Sequence, residues 1–363
     1  MPAPPRPVHE QQETAPATAS DSDGTKMMRK FFLKTPNHDM NKVELEVRRV
    51  PLPQPKKGEV LIRVSAAPVN PSDYLAWLTT EKGDKPIGIE GSGVVVASGG
   101  GIVARSLVGK TVGFVAEETG SYAEYVTVDA LRECFPLTAG VPVEDCASFF
   151  VNPFTVIAML HTVQKAQKAK VFIHTGASSH LGQMMVKLCK TMDVTVVNVV
   201  KRGDQAKMLK DLGAEVVVSE DDPEWTSQLK QVIEKLDIKV AFDAVGGRMS
   251  GLLMSMLPAE STTYVYGGLA KDPCVSDVPA LDLIYKKKLL KGFLVVNWLT
   301  DCGFLVTVRR ARYALRLVNE GLKKGGWAES HFVDCKPEEM QAEFLKMWSE
   351  KGFTGSKLRI RFD

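Results

Sequence analysis

No two of the six cysteines, Cys134, Cys146, Cys189, Cys274, Cys302 and Cys335, stand as C-x-x-C. That excludes a disulfide framework and a cysteine-rich structural zinc lobe. The expectation is six reduced thiols in a cytosolic protein, with the mitochondrion as the alternative compartment. Excess charge of one sign is also missing. The chain has 46 Lys and Arg against 43 Asp and Glu, a formal net charge of +3. Such a balance gives no footprint for nucleic acid or for a membrane surface. No apolar run approaches the ~18–20 residues that span a bilayer. The opening stretch "MPAPPRPVHEQQETAPATASDSDGT" is poor in apolar side chains. It cannot bury enough surface to offset ordering entropy, so residues 1–26 read as a disordered tail. The tail lacks the apolar segment of a signal peptide. Its Glu10, Glu13, Asp21 and Asp23 argue against an Arg-rich presequence.

What is present fits two domains: 363 residues, at about 150 per domain. From Met27 to about Val151 the chain is β-rich, with "KVELEVRRV", "GEVLIRVSAAPVN", "GIEGSGVVVASGGG", "GKTVGFV" and "GSYAEYVTV" as strand candidates between Pro and Gly turns. The pattern suggests an irregular, mostly antiparallel barrel. After Pro153 the rhythm changes. "AKVFIHTG", "DVTVVNVV", "AEVVVS", "KVAFDAVGG", "TTYVYGG" and "LLKGFLVVN" are strand candidates. The first helix is expected from Gly182, and "QAKMLKDLGA" and "WTSQLKQVIEKL" supply two more. Continuous Val/Ile runs alternating with amphipathic helices predict a parallel sheet covered on both faces. The last strand candidate, "GSKLRIRF", is expected to return to the first domain.

The turn "HTGASSHLGQ" lies where an α/β sheet carries its phosphate loop. On the G-x-G-x-x-G pattern its glycine positions fall on Ala177, Ser179 and Gly182, so only the last is kept. Ser178 and Ser179 are small enough for phosphate to approach. Their hydroxyls and the helix N-terminus behind them supply donors. A serine that only caps its helix would read the same way. About 20 residues on, where an NAD site places a carboxylate, the strand ends in Lys201 and Arg202. That basic pair suits a 2′-phosphate and hence NADPH. Two ordinary surface cations are the simpler alternative.

With "APVNPSDY", "GIEGSGVV", "GSYAEYV", "VNPFTVIAML", "GASSHLGQ", "VVNVVKR", "DAVGG", "YGGLAKDP", "GFLVVNW" and "GSKLRI" in this order, the chain resembles the zinc-independent quinone oxidoreductase and trans-2-enoyl-thioester reductase branch of the medium-chain dehydrogenase/reductase superfamily. The resemblance implies an α/β protein in which a GroES-like β-barrel catalytic domain (27–152 and 325–363) packs on a Rossmann doubly wound parallel sheet (153–324). It implies NADPH in the cleft between them. Asn152 would lie near the nicotinamide. Ser178, Ser179, His180, Leu181 and Gly182 would serve the pyrophosphate, and Lys201 and Arg202 the 2′-phosphate. Tyr266, Gly267, Gly268 and Leu269 would line the cofactor, Phe293, Leu294 and Val295 would pass beside the nicotinamide, and Lys357 would approach from the last strand. Turn, core and surface roles are the simpler alternatives residue by residue. The resemblance also implies a homodimer joined at the sheet edge near "GFLVVNW".

The superfamily's zinc-ligand positions match Asn70, Ile89 and Val151, none of which offers a thiolate or imidazole. No metal is expected. Without a Lewis acid for an alkoxide, hydride delivery to a quinone or α,β-unsaturated carbonyl remains. The enoyl reductases' tyrosine after "NPSD" matches Glu81 here. Tyr74 is then the candidate proton donor, with a packing role as its alternative. Asn70 and Trp298 are candidate cleft walls. Two rival readings stay open: an enoyl-CoA or enoyl-ACP reductase, and a catalytically weak NADPH-binding sensor.

Overall fold

The computed structural model describes residues 24–137, 140–349 and 356–362. The expected tail up to residue 23 lies outside the described residues. The Val-rich runs form six parallel strands: Val171–Thr175, Thr195–Val200, Val216–Ser219, Val240–Asp243, Thr262–Val265 and Leu289–Gly292. Counted in chain order within this sheet, they lie in the order 3-2-1-4-5-6. The winding reverses between the first and fourth strands, and the crevice at their carboxyl ends is where such sheets bind ligands.

Alternation along each strand decides which face a side chain serves. Phe172 and Phe242 point to one face, in the same core as Phe154 and Ile157 of the helix Val151–His161 and Met185 of the helix His180–Thr191. Ile173, Val197, Val199 and Ala241 point to the other, in a core with Leu229 and Ile233 of the helix Trp225–Leu236. These side chains are almost fully buried, and removing each large one from water is worth roughly 1.5–3 kcal/mol. Both faces being covered explains why the strands read as unbroken apolar runs.

The remaining strands are mostly antiparallel. Glu59–Pro68 pairs with Glu90–Ser98 and with Tyr125–Asp129, and Glu90–Ser98 continues to Thr111–Val115 and Cys134–Pro136. Register shifts at Leu61/Ile62 and Val64/Ala66 bend the long pair. The returning strand Lys357–Arg361 pairs antiparallel with Glu59–Pro68 and parallel with Phe332–Cys335. Met27–Thr35, Glu44–Pro51 and Lys85–Pro86 form a separate small sheet. The split at 27–152, 153–324 and 325–363 remains our proposal for the domain boundaries.

One expected strand is shorter than its apolar run. "LLKGFLVVN" pairs only over Leu289–Gly292, and Val295–Thr300 is a helix. Val295, Trp298 and Leu299 are buried, at the i, i+3, i+4 spacing of a helix face. They join the core that includes the helix Val151–His161. Packing of that face overrides the strand preference of the two valines. The sheet edge is therefore four residues long and mostly exposed, rather than a long apolar strand.

Candidate cofactor and catalytic site

At the end of the first parallel strand, Gly176 turns the chain with φ +59°, a conformation that costs glycine little. The helix begins at His180, two residues before the expected start. Ser179 is its N-cap, accepting the Gly182 N–H at 3.2 Å. The hydroxyl accepts through a lone pair and keeps its proton to donate, so capping and phosphate contact are compatible. Gly182 is fixed by space. A Cβ there would stand 2.1 Å from the Ala177 carbonyl oxygen, so this glycine is what lets helix and turn approach so closely.

Lys201 and Arg202 follow the second strand directly. Both backbone N–H groups donate to Gln205 Oε1 at 3.2 Å, which orients the strand end. Lys201 is exposed. Arg202 is half-buried, with Nε 3.1 Å from Asp204 Oδ1, so part of its charge is already answered.

The first and fourth strand ends are knit by a carboxylate that sequence reading missed. Asp243 is fully buried. It accepts from Thr175 Oγ1 at 2.6 Å, Ser250 Oγ at 2.5 Å and the N–H groups of Val245 and Gly246. Tyr266 N–H donates to the Asp243 carbonyl, and Leu269 N–H to that of Ala244. A Cβ on Gly267 would meet the Ala244 oxygen at 2.7 Å, so the 266–269 segment lies against this loop. His174 was also missed. Its Nε2 is 2.6 Å from the Tyr266 hydroxyl, and burial pushes its pKa down to about 4. Phe293 packs on Phe242 and Tyr264, with ring centroids 5.2 and 5.8 Å apart. That packing is compatible with either role weighed for it; Leu294 is exposed and Val295 begins the next helix.

Between the lobes a chain of buried polar contacts runs from the last strand to the phosphate loop. Lys357 Nζ donates to Asn70 Oδ1 at 2.6 Å and Ser148 Oγ at 2.8 Å, and stands 3.9 Å from Glu90 Oε1. Burial pushes the Lys357 pKa down, while Glu90 and Asp73 oppose the shift. Asn70 Nδ2 donates to Glu90 Oε1 at 3.0 Å, and Glu90 Oε2 accepts the Phe150 and Val151 N–H groups at 2.8 and 3.1 Å. One residue further, Asn152 Nδ2 is 3.0 Å from His180 Nδ1. An amide NH2 only donates, so Nδ1 accepts and the ring is neutral. Burial, helped by Lys357, His331 and Lys187, holds the His180 pKa well below 6.5. The His180 side chain, expected at the pyrophosphate, is thus turned to orient Asn152.

Two expectations change. Tyr74 lies in an aromatic cluster, 5.7 Å from the Phe344 ring and 5.3 Å from Trp348. Burial raises its pKa, which makes it a weaker acid, so its surroundings favour the packing role weighed for it. Trp298 is no cleft wall. Its indole N–H donates to His161 Nδ1 at 3.3 Å, at the far end of the helix that Val151 begins. Arg310 also lies over its ring. Asn70 is more than a wall, being fully buried within the polar chain. Glu81 is exposed just beyond the helix Pro71–Thr79.

Residues 56–139 match the family model described as alcohol dehydrogenase GroES-like domain, and residues 181–304 the one described as zinc-binding dehydrogenase. A mitochondrial enoyl-[acyl-carrier-protein] reductase of Caenorhabditis elegans is 32% identical over 257 residues, 68% of this chain and 71% of its own. A solved putative NADPH:quinone reductase from Mesorhizobium loti is similar with a TM-score of 0.80 at 29% identity, covering 96% of this chain and 99% of its own. A mutant enoyl thioester reductase from Candida tropicalis shares the fold, with a TM-score of 0.71 at 18% identity over 92% of this chain and 99% of its own. With a GroES-like domain set against a 3-2-1-4-5-6 parallel sheet, this chain belongs to the medium-chain dehydrogenase/reductase superfamily.

Proposed function

We propose that this chain is an NADPH-dependent, zinc-free oxidoreductase that reduces quinones or α,β-unsaturated carbonyl compounds in the cleft between barrel and sheet. One observation carries the choice of chemistry. The position where the superfamily's alcohol dehydrogenases place a zinc-ligating thiolate holds Asn70, whose amide nitrogen donates to Glu90 and whose oxygen accepts from Lys357. The donors gathered there are an amide, a carboxylate, an ammonium and a hydroxyl, not the thiolate and imidazole set that catalytic zinc takes. Reduction of a conjugated acceptor needs no such ion, because the acceptor's own carbonyl takes up the charge.

The residues fit a dinucleotide. The turn at Gly176, the capped helix and the close approach at Gly182 form a phosphate cradle. Ser178, Ser179, His180, Leu181 and Gly182 would hold the pyrophosphate, and Lys201 and Arg202 the 2′-phosphate. Tyr266 to Leu269 and Phe293 to Val295 would flank the remainder, with Asn152 at the nicotinamide. Bound NADPH supplies a hydride. The chain's own residues orient the two reactants and exclude water. Lys357, expected to approach the cofactor, has its ammonium committed to Asn70 and Ser148. With Tyr74 in the core, protonation of the reduced acceptor falls to solvent.

The relatives' names favour a second reading, reduction of enoyl thioesters in mitochondria; Glu81 at the position of that branch's tyrosine weighs against it. A homodimer is proposed as well. Exposed Leu281, Ile284 and Tyr285 precede the sheet edge, and Phe304 and Leu305 follow it. NADPH oxidation should be followed with quinones, enals, enones and crotonyl-thioester. Oxidation with quinones or enones supports the proposal. Oxidation with crotonyl-thioester alone supports the second reading, and tight NADPH binding with no oxidation leaves only a cofactor sensor.

A further inference from the structure

Glu90 does work that the adjoining helix cannot do for itself. The helix Val151–His161 starts after Phe150, whose side chain cannot cap it, and no side-chain cap bond is made there. Its first N–H groups would stay unsatisfied in a buried place. The carboxylate that answers them comes from about 60 residues earlier in the chain, at the start of the barrel strand Glu90–Ser98. Glu90 is fully buried. A buried carboxylate costs several kcal/mol unless its lone pairs and charge are met. Here Oε2 takes two backbone N–H groups at the positive end of the helix, and Oε1 takes the Asn70 amide with the Lys357 ammonium close by. The next residue along the helix is Asn152, held from the opposite side by His180.

We propose that Glu90 is a positioning residue for the reduction. It ties the barrel to the N-terminus of the helix that carries Asn152, and Lys357 and Asn70 hold its charge in place. The inference rests on the reading of Asn152 as the nicotinamide-side residue. The groups facing Lys357 are Glu90, Asp73, Asn70 and Ser148, with His180 close enough for the ammonium to depress its pKa.

Glu90→Gln is nearly isosteric and shows why charge and acceptor count both matter. If the Gln oxygen keeps the helix N–H groups, its NH2 faces the Asn70 amide. Asn70 can offer its oxygen to that NH2 or to Lys357, but whichever way it turns, one donor meets another. Glu90→Gln with Lys357→Met removes the second demand and lets the amides pair.

Three readouts test this, all on the full chain. By hydrogen exchange without NADPH, the segment around Phe150 and Val151 should exchange at least tenfold faster in Glu90→Gln, while the remote helix Trp225–Leu236 is unchanged. With NADPH and whichever acceptor the wild-type enzyme reduces, kcat should fall at least 30-fold while the NADPH dissociation constant stays within threefold. The double variant should recover at least a third of the lost exchange protection and at least tenfold in kcat. Unchanged exchange, unchanged kcat, or a double variant no better than the single one overturns the inference. So does equal loss of NADPH affinity and kcat, which would mean a general binding defect. Failure of the wild-type protein to bind NADPH would instead sink the cofactor reading, and the exchange arm, needing no cofactor, would still report whether Glu90 holds the helix.

Discussion

Cofactor choice turns on Lys201 and Arg202, and the double replacement Lys201→Ala with Arg202→Ala gives it a magnitude. Two unit charges 4 Å apart attract by about 1 kcal/mol in water and about 4 kcal/mol at the effective dielectric of a protein surface. Lys201 is exposed, so the low figure applies. Arg202 is half-buried but shares its charge with Asp204 at 3.1 Å, which suggests about 1–2 kcal/mol. Together these give about 2–3 kcal/mol, a roughly 30- to 150-fold loss of NADPH affinity. NADH lacks the 2′-phosphate, so its affinity should change by less than about threefold. Arg202→Ala should cost more than Lys201→Ala, since it leaves Asp204 uncompensated beside the phosphate. Fluorescence titration of both dinucleotides reads the effect directly. The gap between them should narrow at high salt, where exposed charges are screened. Equal losses for NADPH and NADH would show that the pair does not meet the 2′-phosphate.

Other expectations follow from the same geometry. Ser179→Ala removes the cap on Gly182 N–H and should cost about 1 kcal/mol of stability by urea unfolding, with a weaker grip on NADPH. Tyr74→Phe should leave turnover with every acceptor unchanged, because the ring packs on Phe344 and Trp348; a tenfold fall in kcat would restore its role as a proton donor. Buried Asp73 titrates at about 7 against an ordinary 3.8, chiefly through burial, so the fold holds an extra proton and loses about 4 kcal/mol as pH rises between those values. Buried His174, at about 4 against 6.5, works the other way and loses about 3 kcal/mol as pH falls through its window. The two slopes nearly cancel. Asp73→Asn should therefore expose a loss of stability on acidification from neutral pH toward 4, read from urea midpoints; a flat profile in that variant would refute the assignment. For the proposed dimer, Ile284→Glu with Leu305→Glu should shift the mass in solution to a monomer, and an unchanged mass would place the interface elsewhere.

Much of the parallel sheet was legible, because a strand covered on both faces must read as an apolar run. "AKVFIHTG" and "DVTVVNVV" are such runs, and both became strands. The helix Val295–Thr300 was hidden because two valines suggest a strand, although the 295, 298, 299 spacing already carried the helical period. In the site, motif spacing drew attention to the phosphate turn and the basic pair. It was silent on Glu90, Asp243 and His174, whose partners are remote in sequence or lie in backbone groups that no pattern displays. A carboxylate inside an apolar strand, as in "GIEGSGVVV" and "VAFDAVGG", was the available signal, since an acid is seldom buried without a partner. Tyr74 misled because nearness in sequence to "NPSD" does not decide which side of its helix a ring occupies.

The central claim is direct hydride delivery from NADPH to a conjugated acceptor. NADPH deuterated on one face of the reactive nicotinamide carbon, incubated with wild-type protein and an enone, tests it most directly. The account predicts that deuterium from one face only appears at the β-carbon of the saturated product, at a rate that exceeds that with NADH. Deuterium lost from the enone product to water, or no reduction of any quinone or conjugated carbonyl despite bound NADPH, would contradict it.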